Sequence, residues 1–267
     1  MMKENLGLCI GRQWSVIGSV TYDIVFIADT IVDLNLFRRG GELIFPLYLY
    51  PEKSNPKKQY SGSVMMLFEP KADYKVRKPN LSQTIVKQIV NNFRKEIPPD
   101  QIFYYIYAVL YSNTYRTKYA EFLKIDFPRI PFTKDYELFC KMSKYGEKLV
   151  NLHLLKSIEL DFPVAKFPIA GDNKVEKPKY NEKTKRIYIN TTQYFEPVKK
   201  EVWYYQIGGY QVCDKWLKDR KGRTLSLDDI KHYCKIVTVL RKTIEIQREI
   251  DDVYPLIENN ILLINLK

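Results

Sequence analysis

Short apolar and aromatic runs alternate with polar breaks over the first fifty residues, and this pattern predicts β-strands. The runs cover residues 6–10, 24–27 and 43–50, separated by Gly, Asp and an Arg-Arg-Gly-Gly segment. Residues 51–80 hold four prolines among Lys and Asn. This composition predicts a long irregular connection, a kind of segment that often carries function.

Beyond residue 80 the apolar positions recur three and four apart, which predicts helices. Ser82 is the expected N-cap of the first helix, and Pro98-Pro99-Asp100 opens the second. Further helices are predicted over 113–123, over 135–155, and from Ser226 to Pro255. Ser226 with Asp229 has the spacing of a capping box, and we expect the helices after Ser82 and Ser226 to pack against each other.

Strand patterns return over residues 162–207, most clearly at 185–190 after a turn-like Asn-Glu-Lys-Thr. One last strand is predicted at 261–266. The predicted fold class is α+β, with two β-rich segments each followed by a helical segment, mixed or antiparallel sheets and a helical bundle. The corresponding lobes would be residues 1–160 and 161–267.

Composition indicates a folded intracellular chain. Of 267 residues, 45% are hydrophobic and 28% charged, enough apolar surface to build a sizeable core. The four cysteines lie far apart in sequence, so we expect reduced thiols and no Cys-x-x-Cys site. No apolar run approaches the ~20 residues of a membrane span, and we expect a cytoplasmic protein.

Positive charge is concentrated in a few stretches. The net charge is +12, with excesses of +6 over residues 53–87, +4 over 174–186 and +4 over 199–223, whereas 245–258 carries −4. Basic stretches rich in polar, Gly and Pro positions suggest loops that face a polyanion. A clustered excess of this size favours nucleic acid over a small acidic ligand.

Catalytic motifs give little support for an enzyme. The phosphate-binding loop, the Gly-x-Gly-x-x-Gly loop and the Gly-x-Ser-x-Gly elbow are missing, and two histidines exclude a three-histidine metal site. The acid-x-Lys triplets, such as Asp172 with Lys174, are about as frequent as chance gives.

Two alternatives to a duplex-binding module stay open. One is a metal-dependent nuclease acting through such carboxylates; the other is single-stranded RNA binding through the many aromatic residues.

One stretch is specific enough to suggest a family. Ile207-Gly208-Gly209-Tyr210-Gln211-Val212, continued through residues 215–226, resembles the C-terminal specificity region of type ISP restriction-modification enzymes. Segments elsewhere resemble the same region in the same order, so that the resemblance covers nearly the whole chain; they are residues 6–13, 45–50, 103–110, 126–131 and 188–195.

The resemblance implies that residues 1–267 form a target-recognition region. Its function would be sequence-specific recognition of double-stranded DNA for a restriction-modification system, without catalysis by itself. Its partners would be DNA and the adenine methyltransferase, helicase and nuclease domains of a parent enzyme. No cofactor is expected in this chain, because S-adenosylmethionine, ATP and Mg²⁺ would belong to those other domains.

A recognition module must hold phosphates with Lys and Arg and read base edges with Arg, Asn or Gln. The candidate base readers are Arg12, Gln13, Asn190 and Gln193. The candidate phosphate contacts are Arg38, Arg39, Lys57, Lys58, Lys185, Arg186, Lys218, Arg220, Lys221 and Arg223. The turn that holds the last four resembles a segment shared across the family, so it could instead brace the helices.

Overall fold

A computed structural model describes residues 4–11, 22–33, 41, 43–50 and 77–265. The strands are β1 (Gly7–Ile10), β2 (Val25–Ala28), β3 (Leu43–Pro46), β4 (Tyr48–Leu49), β5 (Lys78–Pro79), β6 (Lys179–Asn181), β7 (Arg186–Tyr188), β8 (Tyr194–Phe195), β9 (Gln206–Ile207) and β10 (Tyr210–Gln211). The helices are α1 (Gln83–Phe93), α2 (Pro99–Tyr111), α3 (Asn113–Lys118), α4 (Ala120–Ile125), α5 (Tyr136–His153), α6 (Lys200–Trp203), α7 (Val212–Lys218) and α8 (Leu227–Glu258). Small sheets combined with helices confirm the predicted α+β class.

All the described sheets are antiparallel. The N-terminal sheet has the order β2-β1-β3 and the second three-stranded sheet the order β6-β7-β8, while β4-β5 and β9-β10 form pairs. The central strand β1 is buried along its whole length, which accounts for its unbroken run of apolar residues. No helix among the described ranges is long and apolar enough to cross a membrane.

Two clusters of buried side chains form the interior. The first joins β1 and β2 to α1, α2, α5 and the C-terminal half of α8. The second joins β7 and β8 to α6, α7 and the N-terminal half of α8. Along the chain the first cluster runs to Leu160 and the second starts at Ala165, before α8 enters both. Because α8 belongs to both clusters, the division into lobes at residue 160 stays a prediction.

Helices α2 and α5 make a close backbone contact at Gly146. A Cβ atom added to Gly146 would lie 1.8 Å from the carbonyl oxygen of Tyr104. Only a residue without a side chain permits that approach. The close approach lets the aromatic residues of α2 pack directly on α5, for example Tyr105 on Phe139 with ring centroids 4.9 Å apart.

The predicted helices are confirmed, with differences at their ends. Ser226 and Asp229 form the predicted capping box. The prediction that Pro255 ends the last helix is wrong, since α8 continues to Glu258. Tyr254 and Ile257 are fully buried on this last turn, and their packing offsets the backbone hydrogen bond that proline cannot donate.

Three further details differ from the sequence predictions. The helix expected over 113–123 is divided into α3 and α4 at Tyr119, which leaves helical geometry. The described part of the predicted last strand holds a single bridge, between Ile261 and Thr133. Finally, α8 packs chiefly on α5, α3 and α2, so α1 is not among its main packing partners.

Candidate nucleic-acid interface

The hairpin of β6 and β7 overlaps the second basic stretch, residues 174–186. Lys179 pairs with Tyr188 and Asn181 with Arg186. At the turn the Thr184 N–H donates to Asn181 Oδ1 at 3.2 Å, and Lys185 adopts a positive φ of 54°. The predicted turn before residue 185 is thereby confirmed, and its Asn side chain replaces a backbone acceptor.

An open groove of about 430 Å³ runs beside this hairpin, and we call it the hairpin groove. The side chains around it are mostly polar or basic, and the lysines are exposed; the residues are Glu176, Lys177, Lys179, Asn181, Tyr188, Asn190 and Thr191. Lysines supply charge for phosphates, while carboxylate and amide groups match the edges of bases. The groove therefore combines both kinds of group that a reader of duplex DNA needs.

Residues 218–223, part of the third basic stretch, lie against the same region, and we call them the basic turn. The Gly222 N–H donates to the Val175 carbonyl at 2.7 Å, and the Val175 N–H donates to the Arg223 carbonyl at 2.9 Å. The next residue, Glu176, donates its N–H to the Ile189 carbonyl at 2.9 Å. The basic stretch 174–186 and the basic turn are thus joined through the backbone of Val175.

Gln193, a predicted base reader, is a buried brace with 1% of its surface exposed. Its Oε1 accepts from the Asn173 N–H at 2.9 Å, and its Nε2 donates to the Ile169 carbonyl at 3.0 Å and to Asn173 Oδ1 at 2.8 Å. The amide is used inside the protein and presents no edge to a ligand. Its burial follows from these bonds, which the sequence pattern did not show.

Asn190 lies at the edge of the hairpin groove and organises the loop that follows it. Its Oδ1 accepts from the N–H groups of Thr192 and Gln193 at 3.0 and 2.7 Å, while its Nδ2 donates to Gln193 Oε1 at 2.9 Å. These bonds hold Thr191 and Thr192 at the exposed surface. Base reading by Asn190 itself stays a prediction.

Three of the predicted phosphate contacts are engaged with other side chains. Arg186 Nε lies 2.7 Å from Glu196, and Lys218 Nζ lies 2.6 Å from Asp214. Arg220 stacks on Trp216, with its guanidinium carbon 3.6 Å from the ring centroid, and its Nη1 donates to the Trp216 carbonyl at 3.2 Å. Arg220 is thus held against Trp216, and phosphate binding by Arg186, Lys218 and Arg220 stays a prediction.

The other described candidates are available to a ligand. Lys185, Lys221 and Arg223 are exposed, and within the described ranges they form no ion pair. Phosphate binding by these three stays a prediction. The remaining candidates lie outside the described residues; they are Arg12, Gln13, Arg38, Arg39, Lys57 and Lys58.

The groove also contains residues that the sequence analysis did not single out. Lys177, Lys179 and Glu176 were part of a basic stretch but were not named individually. Strand alternation could have identified Lys179 together with Asn181 in β6, because it places side chains at every second position on one face. Glu176 and Lys177 precede the strand and carry no such signal.

The residues on which the nuclease and RNA-binding alternatives depend make contacts within the protein. Asp172 Oδ1 accepts from the Lys174 N–H at 3.1 Å and from Asn190 Nδ2 at 3.3 Å. Among the residues that the structure describes, no group of three or more His, Cys, Asp or Glu could hold a metal ion. In the aromatic run from Phe103 to Tyr107, Tyr105 and Tyr107 are fully buried in the first cluster.

Comparison with known families identifies the class of protein that this fold defines. Residues 1–249 match the family described as the Type ISP C-terminal specificity domain. The chain therefore belongs to that family, as the sequence resemblance predicted. A comparison with curated proteins finds no match at the sequence level.

Several solved structures share the fold, and three of them are enzymes or complexes with DNA. One is described as the ATP-dependent Type ISP restriction-modification enzyme LlaBIII bound to DNA, with 19% identity, a TM-score of 0.65, and coverage of 93% of this chain and 16% of that one. Another is a nuclease-deletion mutant of the Type ISP enzyme LlaGI in complex with a DNA substrate mimic, with 20% identity, a TM-score of 0.58, and coverage of 93% and 18%. The third is a DrdV–DNA complex, with 19% identity, a TM-score of 0.62, and coverage of 95% and 25%. The chain thus spans a quarter or less of the length of each of these proteins.

Proposed function

We propose that this chain recognises a specific sequence in double-stranded DNA for a restriction-modification system. The observation that carries the proposal is the backbone link between the basic turn and the segment that enters the hairpin groove, which brings exposed lysines and arginine into the same region as polar groups. The family supports it, since its matched relatives are described as complexes with DNA.

Within this surface the proposal assigns two roles. Lys177, Lys179 and Arg223 contact phosphates and fix the register of the protein on the duplex. Glu176 and Asn181 face base edges, because a carboxylate accepts from the amino group of cytosine and an amide pairs with adenine. The bonds of Gln193 and Asn190 hold the supporting loops, so that these side chains keep their positions.

Recognition and catalysis would be separate. This chain recognises the target sequence, while other parts of such an enzyme carry out methyl transfer, ATP-driven motion and cleavage. S-adenosylmethionine, ATP and Mg²⁺ would act in those parts. The proposal is supported by the small share of the matched enzymes that the chain covers.

Selection from a pool of random duplexes, followed by binding measurements over a range of KCl concentrations, tests this function. We expect one enriched sequence and a logarithmic salt slope of about −0.9 for each neutralised phosphate. Replacement of both Lys177 and Lys179 by Ala should reduce the steepness of that slope by about 2. Replacement of Lys141 and Lys144, exposed on α5, is the matched control.

Two results would overturn the proposal. The first is a pool without an enriched sequence together with binding that does not depend on salt. The second is tighter binding to single-stranded RNA than to any duplex, which would favour the RNA-binding alternative.

A further inference from the structure

The sheet β6-β7-β8 has one buried face and one accessible face. Tyr180, Ile187 and Phe195 pack in the second hydrophobic cluster and define the buried face. Antiparallel pairing places residues that lie directly opposite each other, such as Asn181 and Arg186, on the same face. We call the accessible side the outer face, and its side chains are basic, polar or aromatic; they are Lys179, Asn181, Arg186, Tyr188 and Tyr194.

The guanidinium of Arg186 is fixed on the outer face by two neighbours. Its Nε donates to Glu196 Oε2 at 2.7 Å, and its central carbon lies 4.1 Å from the centroid of the Tyr194 ring. The Glu196 backbone exchanges two hydrogen bonds with Lys166, at 2.9 and 2.7 Å. The Arg186 side chain is still 32% exposed, so a fixed guanidinium is presented to the solvent.

Most of the hydrogen-bonding capacity of Arg186 is unused. Hydrogen bonding to Glu196, and then to Tyr188, raises the pKa of Arg186, and Tyr188 also lines the hairpin groove. Arginine carries five N–H donors, so these two partners leave three of them available within the described part of the chain. The guanidinium therefore lies at the edge of the groove with donors to spare.

A phosphate is a poor match for this guanidinium. The carboxylate of Glu196 offsets the charge of Arg186 and would repel phosphate oxygens nearby. A phosphate contact also needs only a positive charge, which a flexible lysine supplies, whereas a planar fork held in one orientation favours bidentate recognition. The N7 and O6 atoms of guanine are two adjacent neutral acceptors in the major groove, and arginine is their commonest partner.

We propose that Arg186 reads a guanine in the major groove and that Glu196 is its positioning residue. The hairpin of β6 and β7 is a two-stranded ribbon, a shape that the major groove of B-DNA admits. Two N–H groups of Arg186 donate to N7 and O6 of the guanine, while Asn181, directly opposite, meets a neighbouring base pair. This inference rests on the proposed function and adds the identity of one base to it.

Binding to the sequence enriched in the duplex selection, and to each of its single-base-pair variants, tests the proposal. At one position we expect a G·C pair to be preferred at least tenfold over the other pairs. Arg186→Ala should remove the preference at that position and keep the preferences elsewhere. Arg186→Lys should do the same with an unchanged salt slope, because lysine keeps the charge and lacks the fork.

A change in the DNA provides a test that does not depend on the folding of any variant. Replacement of that guanine by 7-deazaguanine removes the N7 acceptor and should weaken binding of the wild type by at least threefold. The affinity of Arg186→Ala should be the same for both duplexes. Sensitivity of the two proteins to the same extent would overturn the proposal.

Two further variants separate positioning from a general effect of losing an ion pair. Glu196→Gln should reduce the guanine preference by at least threefold, because a neutral amide holds the guanidinium less firmly. Arg241→Ala is the matched control, since Arg241 Nε lies 3.0 Å from Glu245 and its side chain is 37% exposed. This variant should leave every base preference and the salt slope unchanged.

The failures of the two proposals are distinguishable. If Arg186→Ala weakens all sequences alike and reduces the steepness of the salt slope by about 1, Arg186 contacts a phosphate and the guanine role is overturned. Base preferences that survive Arg186→Ala unchanged would also overturn this role and leave the proposed function intact. A wild-type chain that prefers no sequence would reject the proposed function and this inference with it.

Discussion

The Asp251 carboxylate accepts a hydrogen bond from the Ser112 hydroxyl at 2.8 Å, although the two residues are 139 positions apart. The same oxygen accepts from the Thr114 N–H at 3.0 Å, and Asn113 Nδ2 donates to the other oxygen at 2.9 Å. The Ser112 oxygen in turn accepts from the Tyr115 N–H. Part of the acidic stretch 245–258 thus holds the start of α3.

Replacement of Asp251 by Ala should lower the free energy of unfolding by about 2 kcal/mol, because the buried Ser112 hydroxyl and a backbone N–H lose their acceptor. Urea denaturation monitored by circular dichroism measures this loss. Asp252→Ala, one residue further on and exposed, should change stability by less than about 0.5 kcal/mol. Equal losses in the two variants would contradict the bracing role.

Stability should fall with acidification because of His153. Burial, assisted by the charge of Arg116, lowers the pKa of His153 to about 3, and its ring nitrogens lie 2.8 and 2.9 Å from the hydroxyls of Tyr107 and Thr243. The folded state keeps the ring neutral, whereas the unfolded chain takes up a proton near pH 6.5.

Between pH 6.5 and about pH 3 the unfolded state therefore binds more protons, and stability should fall by about 1.4 kcal/mol per pH unit. His153→Gln should remove this contribution, so that the two stability curves converge as the pH falls below 6.5. Urea midpoints at half-unit intervals measure it. Parallel curves for the two proteins would show that His153 titrates normally.

Two arginines of the basic turn should behave differently. Arg220→Ala loses the stacking on Trp216 and should cost about 1–2 kcal/mol of stability, while leaving the salt slope of DNA binding unchanged. Arg223→Ala should leave stability unchanged and reduce the steepness of that slope by about 1. Thermal unfolding and DNA titration of both variants provide the measurements, and a reversed pattern would reject the assignment.

Gly146→Ala should destabilise the chain by about 3 kcal/mol, since its Cβ would overlap the Tyr104 carbonyl and force α2 away from α5. Gly222→Ala provides a contrasting case. Nothing lies within 4 Å of its added Cβ, and only its φ of 82° is unfavourable, at a cost of about 1 kcal/mol. Chemical denaturation should rank the two variants in this order.

The sequence predicted the parts of the fold that depend on local patterns. Helical spacing identified α1, α2, α5 and α8, and the capping box at Ser226 placed the start of the longest one. The end of α8 was missed because its continuation depends on the burial of Tyr254 and Ile257 by distant segments. A rule that ends a helix at proline takes no account of such tertiary packing.

The sequence indicated which stretches form the candidate site but not which side chains within them are exposed. Net charge marked residues 174–186 and the basic turn, and the structure joins them through Val175. Charge alone could not separate Arg220, which stacks on Trp216, from Arg223, which is exposed. Polarity likewise could not show that the Gln193 amide is buried.

The sharing of α8 by both hydrophobic clusters bears on attempts to exchange target preference between family members. A crossover within α8 would join the N-terminal half of the helix from one parent to the C-terminal half from another. The two hydrophobic clusters would then contain side chains that have not packed together before. Under the proposed function, chimeras should instead retain α8 from one parent and exchange only the hairpin groove with its supporting loops.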